Sequence, residues 1–158
     1  MLTDAELTIL YRTILAALLG FFIGWERMAV GAPVRGRSIA IATMTSAALA
    51  AVGVTMYPRE ASRIIAGIVT GVGFLGAGLI VRSASGEVRG QVTAAMLWTM
   101  SSIGIIIGVG HEVLAIILTL MAYVLMAWED WPLINRLKLR LAKRQAKEGN
   151  NQPSGETK

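Results

Sequence analysis

The chain has 158 residues, of which 54% are hydrophobic and only 16% are charged, and it contains no cysteine. Soluble domains average about 45–50% apolar and about 25% charged residues, so this composition indicates a single-domain membrane protein. The lack of cysteine excludes disulfides, thiolate metal sites and cysteine nucleophiles. The formal net charge of +5 does not indicate nucleic-acid binding, because the basic residues lie between apolar segments and near the C-terminus, with no groove-reading motif beside them.

Five apolar segments follow one another along the chain. Thr3-Asp4-Ala5-Glu6 has the pattern of a capping box that starts the first helix. The segments cover residues 7–25, 38–56, 64–81, 93–109 and 113–128. Most have the roughly 17–25 residues that cross about 30 Å of hydrocarbon, and the fifth is the shortest. The sequence therefore predicts an all-α fold, a polytopic membrane bundle of five transmembrane helices.

The charges between the segments predict the orientation of this bundle. Twelve basic residues lie on one side of the membrane, two lie on the other, and one stands within the first segment. Positive residues collect on the cytoplasmic side, so the N-terminus is expected outside and the C-terminus in the cytoplasm. The twelve are Arg27, Arg35, Arg37, Arg82, Arg89, Arg136, Lys138, Arg140, Lys143, Arg144, Lys147 and Lys158; the two are Arg59 and Arg63.

The last part of the chain divides into two further regions. Leu133, Leu137 and Leu141 repeat at four-residue spacing among basic residues, which is typical of a helix on an anionic membrane surface. We therefore predict a transmembrane domain over residues 1–131, a basic amphipathic interfacial helix over 132–147, and a disordered tail over 148–158.

Small residues mark where helices are expected to pack. In the third segment Gly67, Gly71 and Gly78 share one helical face, and Gly73, Gly76 and Ala77 share a second. Membrane helices associate through such small residues, so the pattern predicts a central helix with neighbours on both sides. The first segment adds Gly20 and Gly24, and the fourth adds Gly104 and Gly108. A broken helix that exposes backbone groups to an ion is the alternative for Gly71–Gly78.

Few ionisable residues lie in or near the predicted spans. Glu26 and Arg27 stand at the inner end of the first, either as an interfacial pair or, with Glu26 buried among Arg35, Arg37 or Arg89, as part of a polar cluster on the cytoplasmic face. Arg12 is expected to reach the outer surface with its long side chain unless a carboxylate lies opposite it.

On the outer side, Glu60 and Arg63 form an i,i+3 pair at the start of the third helix. His111 and Glu112 are expected in a solvated loop. No second carboxylate lies near Glu60 in the sequence, so no metal site is assigned, no cofactor is expected, and enzyme motifs are absent.

Three stretches resemble the MgtC/SapB family of bacterial inner-membrane proteins, over roughly residues 10–125. They are Gly20-x-x-x-Gly24-Trp25-Glu26-Arg27, the run Arg63–Gly78 that ends in Gly-Phe-Leu-Gly-Ala-Gly, and Val88-Arg89-Gly90-Gln91-Val92-Thr93-Ala94-Ala95-Met96-Leu97-Trp98. The resemblance adds Thr93 and Trp98 to the candidate polar cluster. It does not extend to the cytoplasmic ACT-like domain of longer members, which is not expected here. Gly67 stands where members often have glutamine.

The resemblance implies a protein of the bacterial inner membrane associated with magnesium homeostasis and virulence. The leading hypothesis is a non-enzymatic regulator that acts through helix contacts, as a homo-oligomer, with a dimer favoured, or with another membrane complex. Its other partner is the lipid bilayer, and nucleic acid is not a partner. The alternative is a transporter or channel for a cation (Mg²⁺ or H⁺) or a small anion.

Overall fold

The computed structural model describes residues 2–29, 36–84 and 86–127, and these contain five α-helices and one short β-hairpin. The helices are α1 (Asp4–Ala29), α2 (Gly36–Met56), α3 (Ala61–Leu79), α4 (Gln91–Gly108) and α5 (Glu112–Ala127), and strands β1 (Val81–Arg82) and β2 (Val88–Arg89) lie between α3 and α4. Contacts divide the chain into the units Met1–Met121 and Ala122–Lys158. The described part of the second unit is the end of α5.

The helices have the lengths that a membrane requires. The first four contain 26, 21, 19 and 18 residues and are apolar enough to cross a bilayer. α5 has 16 described residues, or about 24 Å at 1.5 Å per residue. The predicted all-α membrane fold with five helices is confirmed, and the helix ends differ from the predicted segments by only a few residues. The predicted orientation stays a prediction.

The first helix begins at the predicted capping box. The Thr3 amide donates to Glu6 Oε2 at 2.7 Å, and the Glu6 amide donates to Thr3 Oγ1 at 3.3 Å. These reciprocal bonds satisfy two amides that a helix start otherwise leaves unpaired. The capping box is confirmed.

α2 and α4 are the central helices of the first unit, because they contact each other and each contacts both α1 and α3. The buried residues of α2 include Ile39, Thr43, Ala47 and Ala50. The buried Thr43 hydroxyl donates to the Ile39 carbonyl at 2.8 Å, so this polar group has the partner that burial requires. We call the end of the unit where α2 and α4 begin the inner end, and the opposite end the outer end.

Glycines let the neighbouring helices approach α2 closely. At the inner end Gly24 of α1 and Gly36 of α2 meet backbone to backbone, and a Cβ on either would collide with the other's carbonyl oxygen. Gly104 of α4 stands in the same way against the Thr43 carbonyl. A Cβ on Gly20 would lie 2.8 Å from Thr43 Oγ1, and one on Gly108 would lie 2.7 Å from Ala50 Cβ. These contacts are the small-residue packing of membrane helices.

Within the described residues α3 packs on one side only, and not on both sides as its small residues predicted. α3 buries only one stripe, Ile68, Val72 and Gly76, and this stripe packs on α2 and α4. The bulkier side chains Ile68 and Val72 provide the contact, so the glycines beside them are turned away from the core. α3 is one continuous helix from Ala61 to Leu79, which removes the alternative of a broken helix.

A tight hairpin joins α3 to α4 at the inner end. The Ser83 amide donates to the Glu87 carbonyl, and the Gly86 amide donates to the Ser83 carbonyl, both at 2.9 Å. Gly90 follows β2 with φ +87°, and a Cβ there would collide with the Leu79 carbonyl oxygen. Both conditions favour glycine.

Three predictions concern residues that the structure does not describe. The interfacial helix over residues 132–147, the tail over 148–158 and the placement of Arg35 lie outside the described residues.

Candidate functional site

α3 presents three faces with different surroundings. The core face is Ile68, Val72 and Gly76, all buried. A second face carries Gly67, Gly71 and Leu75, which line a groove. The third, called the small face below, lies on the side of α3 away from the groove by the helical period. It consists of Ser62, Ala66, Thr70, Gly73 and Ala77, all exposed.

Four of the predicted packing glycines have open space in front of them. A Cβ built on Gly67, Gly71, Gly73 or Gly78 would meet no heavy atom within 4 Å. Gly76 differs, because its Cβ position lies 3.8 Å from Ala94 Cβ of α4. Among the described residues, the four open glycines therefore do not hold α3 to the rest of the chain.

The groove lies between α2 and α3 and has a volume of about 820 Å³. Its α2 wall runs from Ser38 to Leu49, its α3 wall runs from Ile64 to Leu79, and α4 contributes Thr93 and Leu97. Near the outer end the walls come together, since a Cβ on Gly53 of α2 would lie 3.4 Å from Ile64 Cδ1. The groove is therefore closed at its outer end, and its walls are mostly apolar.

Glu26 and Arg27 form an ion pair near the inner end of α1. Arg27 Nε donates to Glu26 Oε2 at 2.7 Å, and Arg27 Nη2 donates to Glu26 Oε1 at 2.9 Å. Their side chains are only 10% and 18% exposed, for arginine and glutamate respectively. Both carboxylate oxygens accept from one guanidinium, which is the strong bidentate arrangement.

The other described members of the candidate cluster have different surroundings. Arg89 Nη2 donates to Glu87 Oε2 at 2.8 Å in the hairpin, and its side chain is 72% exposed. Thr93 lines the groove, and Trp98 is 49% exposed. Glu26 thus pairs with Arg27, Arg89 pairs with Glu87, and Thr93 lines the groove. These three residues do not form one polar cluster.

Glu60 and Arg63 make the expected pair at the outer start of α3. Arg63 Nη1 donates to Glu60 Oε2 at 3.1 Å, with side chains 83% and 54% exposed for arginine and glutamate. An exposed pair of this kind contributes little to stability. Within the described residues, no group of three or more histidine, aspartate or glutamate side chains is placed to hold a metal ion.

Arg12 and Glu112 correct two predictions for the outer side. Arg12 does not extend into solvent: its Nε donates to Glu112 Oε1 at 3.3 Å and its Nη1 donates to the Gly108 carbonyl at 2.9 Å. Glu112 is the first residue of α5 rather than a loop residue. Both side chains are about three-quarters buried or more. Their pairing lowers the cost of placing two charges inside a helix bundle. Arg12 therefore links α1 to the α4–α5 corner.

Two features were missed at the sequence level. Gly36 packs against Gly24, and the small residue at the start of an apolar segment was its only signal. The groove was also missed, although Ser38, Ala42, Thr45 and Leu49 recur at the helical spacing of one face. That spacing does not reveal that α3 stands away from this face.

The fold defines the chain as a polytopic helical membrane protein. The model of the MgtC family matches residues 13–131, and the chain belongs to the MgtC family. No solved structure matches it significantly.

Relatives with known sequences extend beyond the length of this chain. It is 32% identical to an uncharacterized protein of Haemophilus influenzae over 150 residues, which cover 89% of this chain and 62% of that protein. It is 41% identical to Protein MgtC of Salmonella typhimurium over 96 residues, 61% of this chain and 41% of MgtC. Protein SapB of Bacillus subtilis is 31% identical over 65% of this chain and 48% of SapB. The chain thus spans less than two thirds of the length of these relatives.

Proposed function

We infer that this protein is a non-enzymatic regulator in the bacterial inner membrane, with its N-terminus outside, that acts by packing α3 against a helix of another membrane protein or of a second copy. The process in which it acts is ion homeostasis, with Mg²⁺ as the ion that the family resemblance implies. The observation that carries the proposal is the small face of α3, which is exposed along the whole helix.

The cost of glycine in a helix supports a use for this face. Each helical glycine is less favourable than alanine by about 1 kcal/mol. Gly24 and Gly104 offset this cost through contacts that no larger residue allows. Gly73 has no such contact within the described chain, and with Ala66 and Ala77 it makes a row of the small-xxx-small type that favours close helix association in lipid. A partner helix on the small face gives Gly73 the use that Gly24 and Gly104 have.

Association is tested with differently tagged copies expressed together and extracted in mild detergent. Gly73→Leu and Ala77→Leu fill the small face and are expected to reduce recovery of the second tag, or of a co-purifying membrane partner, by about tenfold, or about 1.4 kcal/mol. Ala95→Leu is the matched control, because Ala95 is an exposed alanine on α4. Equal recovery from all three variants and the unmodified protein would remove the proposal.

Transport is the second candidate function, and the largely buried Glu26–Arg27 pair is the observation that favours it. Ionisable residues within membrane spans often lie on ion paths. Purified protein in liposomes is expected to give no Mg²⁺ or H⁺ flux above that of empty vesicles. Flux that disappears in Glu26→Gln would replace the regulator proposal with a transporter.

A further inference from the structure

We propose that the groove between α2 and α3 binds one anionic glycerophospholipid, with an acyl chain along the groove and the phosphate beside the arginines at its inner end. The site is separate from the small face, which lies on the other side of α3.

The groove is shorter than the full thickness of a bilayer. Its α2 wall from Ser38 to Leu49 rises about 16 Å and its α3 wall from Ile64 to Leu79 about 22 Å, at 1.5 Å per residue. The hydrocarbon core of a bilayer is about 30 Å thick, or about 15 Å per leaflet. The outer end of the groove is closed, because Gly53 of α2 packs against Ile64. A transmembrane helix needs the full thickness of the bilayer, so the closed outer end favours an acyl chain as the occupant.

The walls have the chemistry of a hydrocarbon site with a polar mouth. Ile39, Leu49, Leu75 and Leu97 line the groove with aliphatic side chains. Gly67 and Gly71 leave its α3 wall free of side chains, with open space in front of both. The hydroxyl-bearing residues Ser38 and Thr93 lie in the first turns of α2 and α4, at the inner end. They stand at the depth where the glycerol and ester groups of a lipid begin.

Basic residues surround the inner end of the groove. Arg37 precedes Ser38 in the first turn of α2, is exposed, and makes no hydrogen bond or ion pair with the described residues. Arg82 and Arg89 lie in the hairpin between α3 and α4, and both are exposed. Glu87 is the one carboxylate in this hairpin and pairs with Arg89. The first turn of α2 and the hairpin together carry three arginines and one carboxylate, while Glu26 and Arg27 of α1 pair with each other. This excess of positive charge is the complement of an anionic headgroup, and basic pockets between membrane helices bind such headgroups.

The binding test uses native mass spectrometry of the purified chain with phosphatidylglycerol or phosphatidylcholine of the same acyl chains added to the detergent. The unmodified protein is expected to retain one phosphatidylglycerol at a concentration at which phosphatidylcholine is not retained. Equal retention of the two lipids would overturn the headgroup assignment.

Two variants separate the acyl chain from the headgroup. Gly71→Leu narrows the groove and is expected to weaken retention of phosphatidylglycerol about tenfold, because an added side chain fills space that the chain needs. Arg37→Gln is expected to reduce the preference for phosphatidylglycerol about fivefold, the effect of one basic residue beside an anionic headgroup. Ala42→Leu, on the α2 wall, repeats the first test if Gly71→Leu does not fold.

Matched controls stand on the same helix. Gly73→Leu makes the same change on the small face, and Arg63→Gln removes an exposed arginine at the outer end; both are expected to retain lipid as the unmodified protein does. Equal loss from Gly71→Leu and Gly73→Leu would overturn the site. If Gly71→Leu instead separates tagged copies without affecting lipid, the groove binds a second copy. Loss of association in Gly73→Leu with normal lipid binding tests the proposed function separately.

Discussion

The glycines of α3 differ from those of α1, α2 and α4 in what surrounds them. In α1, α2 and α4 they lie against atoms of a neighbouring helix, and Gly24 and Gly104 lie against backbone, of Gly36 and Thr43 respectively. In α3, Gly67, Gly71, Gly73 and Gly78 have no neighbour within 4 Å of a Cβ position. Glycine therefore allows close packing among α1, α2 and α4, whereas in α3 it leaves open surface.

This difference predicts that replacing a packed glycine affects the stability of the fold, whereas replacing an open glycine affects contacts with other molecules. A glycine between two helices fixes their distance, so its replacement affects folding. An open glycine affects folding only through helix propensity. The glycine-rich motif that dominates the sequence thus belongs to the less tightly held helix, and its role is expected in contacts with lipid or other chains.

The largest effect is expected from filling a packed glycine. Gly104→Leu forces a side chain into the Thr43 carbonyl and should destabilise the protein by about 3 kcal/mol or more, the upper range for overpacking. Gly78→Leu makes the same change at an open position and should keep the fold. Thermal unfolding and size-exclusion chromatography in detergent compare the two, and similar melting temperatures would contradict the division of the glycines.

The hairpin between α3 and α4 also contains one glycine in close contact and one in open space, and a smaller effect is expected there. Gly90 and Gly86 both have positive φ, but only Gly90 is in close contact, with the Leu79 carbonyl. Positive φ costs an alanine about 1–2 kcal/mol, so both Gly→Ala variants should lose that much, and Gly90→Ala more. If Gly86→Ala were the more damaging of the two, the contact would have no energetic weight.

Breaking the Arg12–Glu112 pair at the outer end should destabilise the protein less than filling Gly104 and more than changing an open glycine. Arg12→Leu leaves the Glu112 carboxylate without its partner and should cost about 1–3 kcal/mol, the range for a polar group left unsatisfied on burial. Arg12→Leu/Glu112→Leu should lose less than the sum of the single variants, because the two residues contact each other. If the losses of unfolding free energy in the two single variants add up to that of the double variant, the pair does not couple α1 to α5.

The smallest effect is expected from alanine at an open glycine. Gly78→Ala should leave the melting temperature unchanged or raise it, with a gain of up to about 1 kcal/mol from helix propensity. Gly24→Ala is the matched variant at a packed position and should lower it. A loss of stability in Gly78→Ala would place an unseen contact at this glycine.

Much of the fold could be predicted from local pattern. The capping box of Thr3 and Glu6 and the lengths of the apolar segments gave helix boundaries close to those observed, because each depends on residues near one another in sequence. The face of α3 that packs could not be predicted in this way. Helical period shows that Gly67 and Gly71 share a face, but not that Ile68 and Val72 occupy the core instead.

Long-range contacts had no local signal. Arg12 and Glu112 are separated by 100 positions, and each alone is typical of a surface residue. The groove likewise depends on the angle between α2 and α3, which arises from the contact of Gly53 and Ile64 at one end. The sequence pattern of each wall is that of an ordinary lipid-facing helix.

Thr43 has a consequence for the order in which the helices assemble. Its side chain meets Gly20 of α1, while its carbonyl meets Gly104 of α4. Synthesis proceeds from the N-terminus at about 5–20 residues per second, so α1 and α2 can pair several seconds before Gly104 exists. α3 is made during that interval, yet the place against Thr43 goes to α4. The contacts around Thr43 are therefore completed by the fourth helix, and α3 leaves most of its surface open to lipid and other chains.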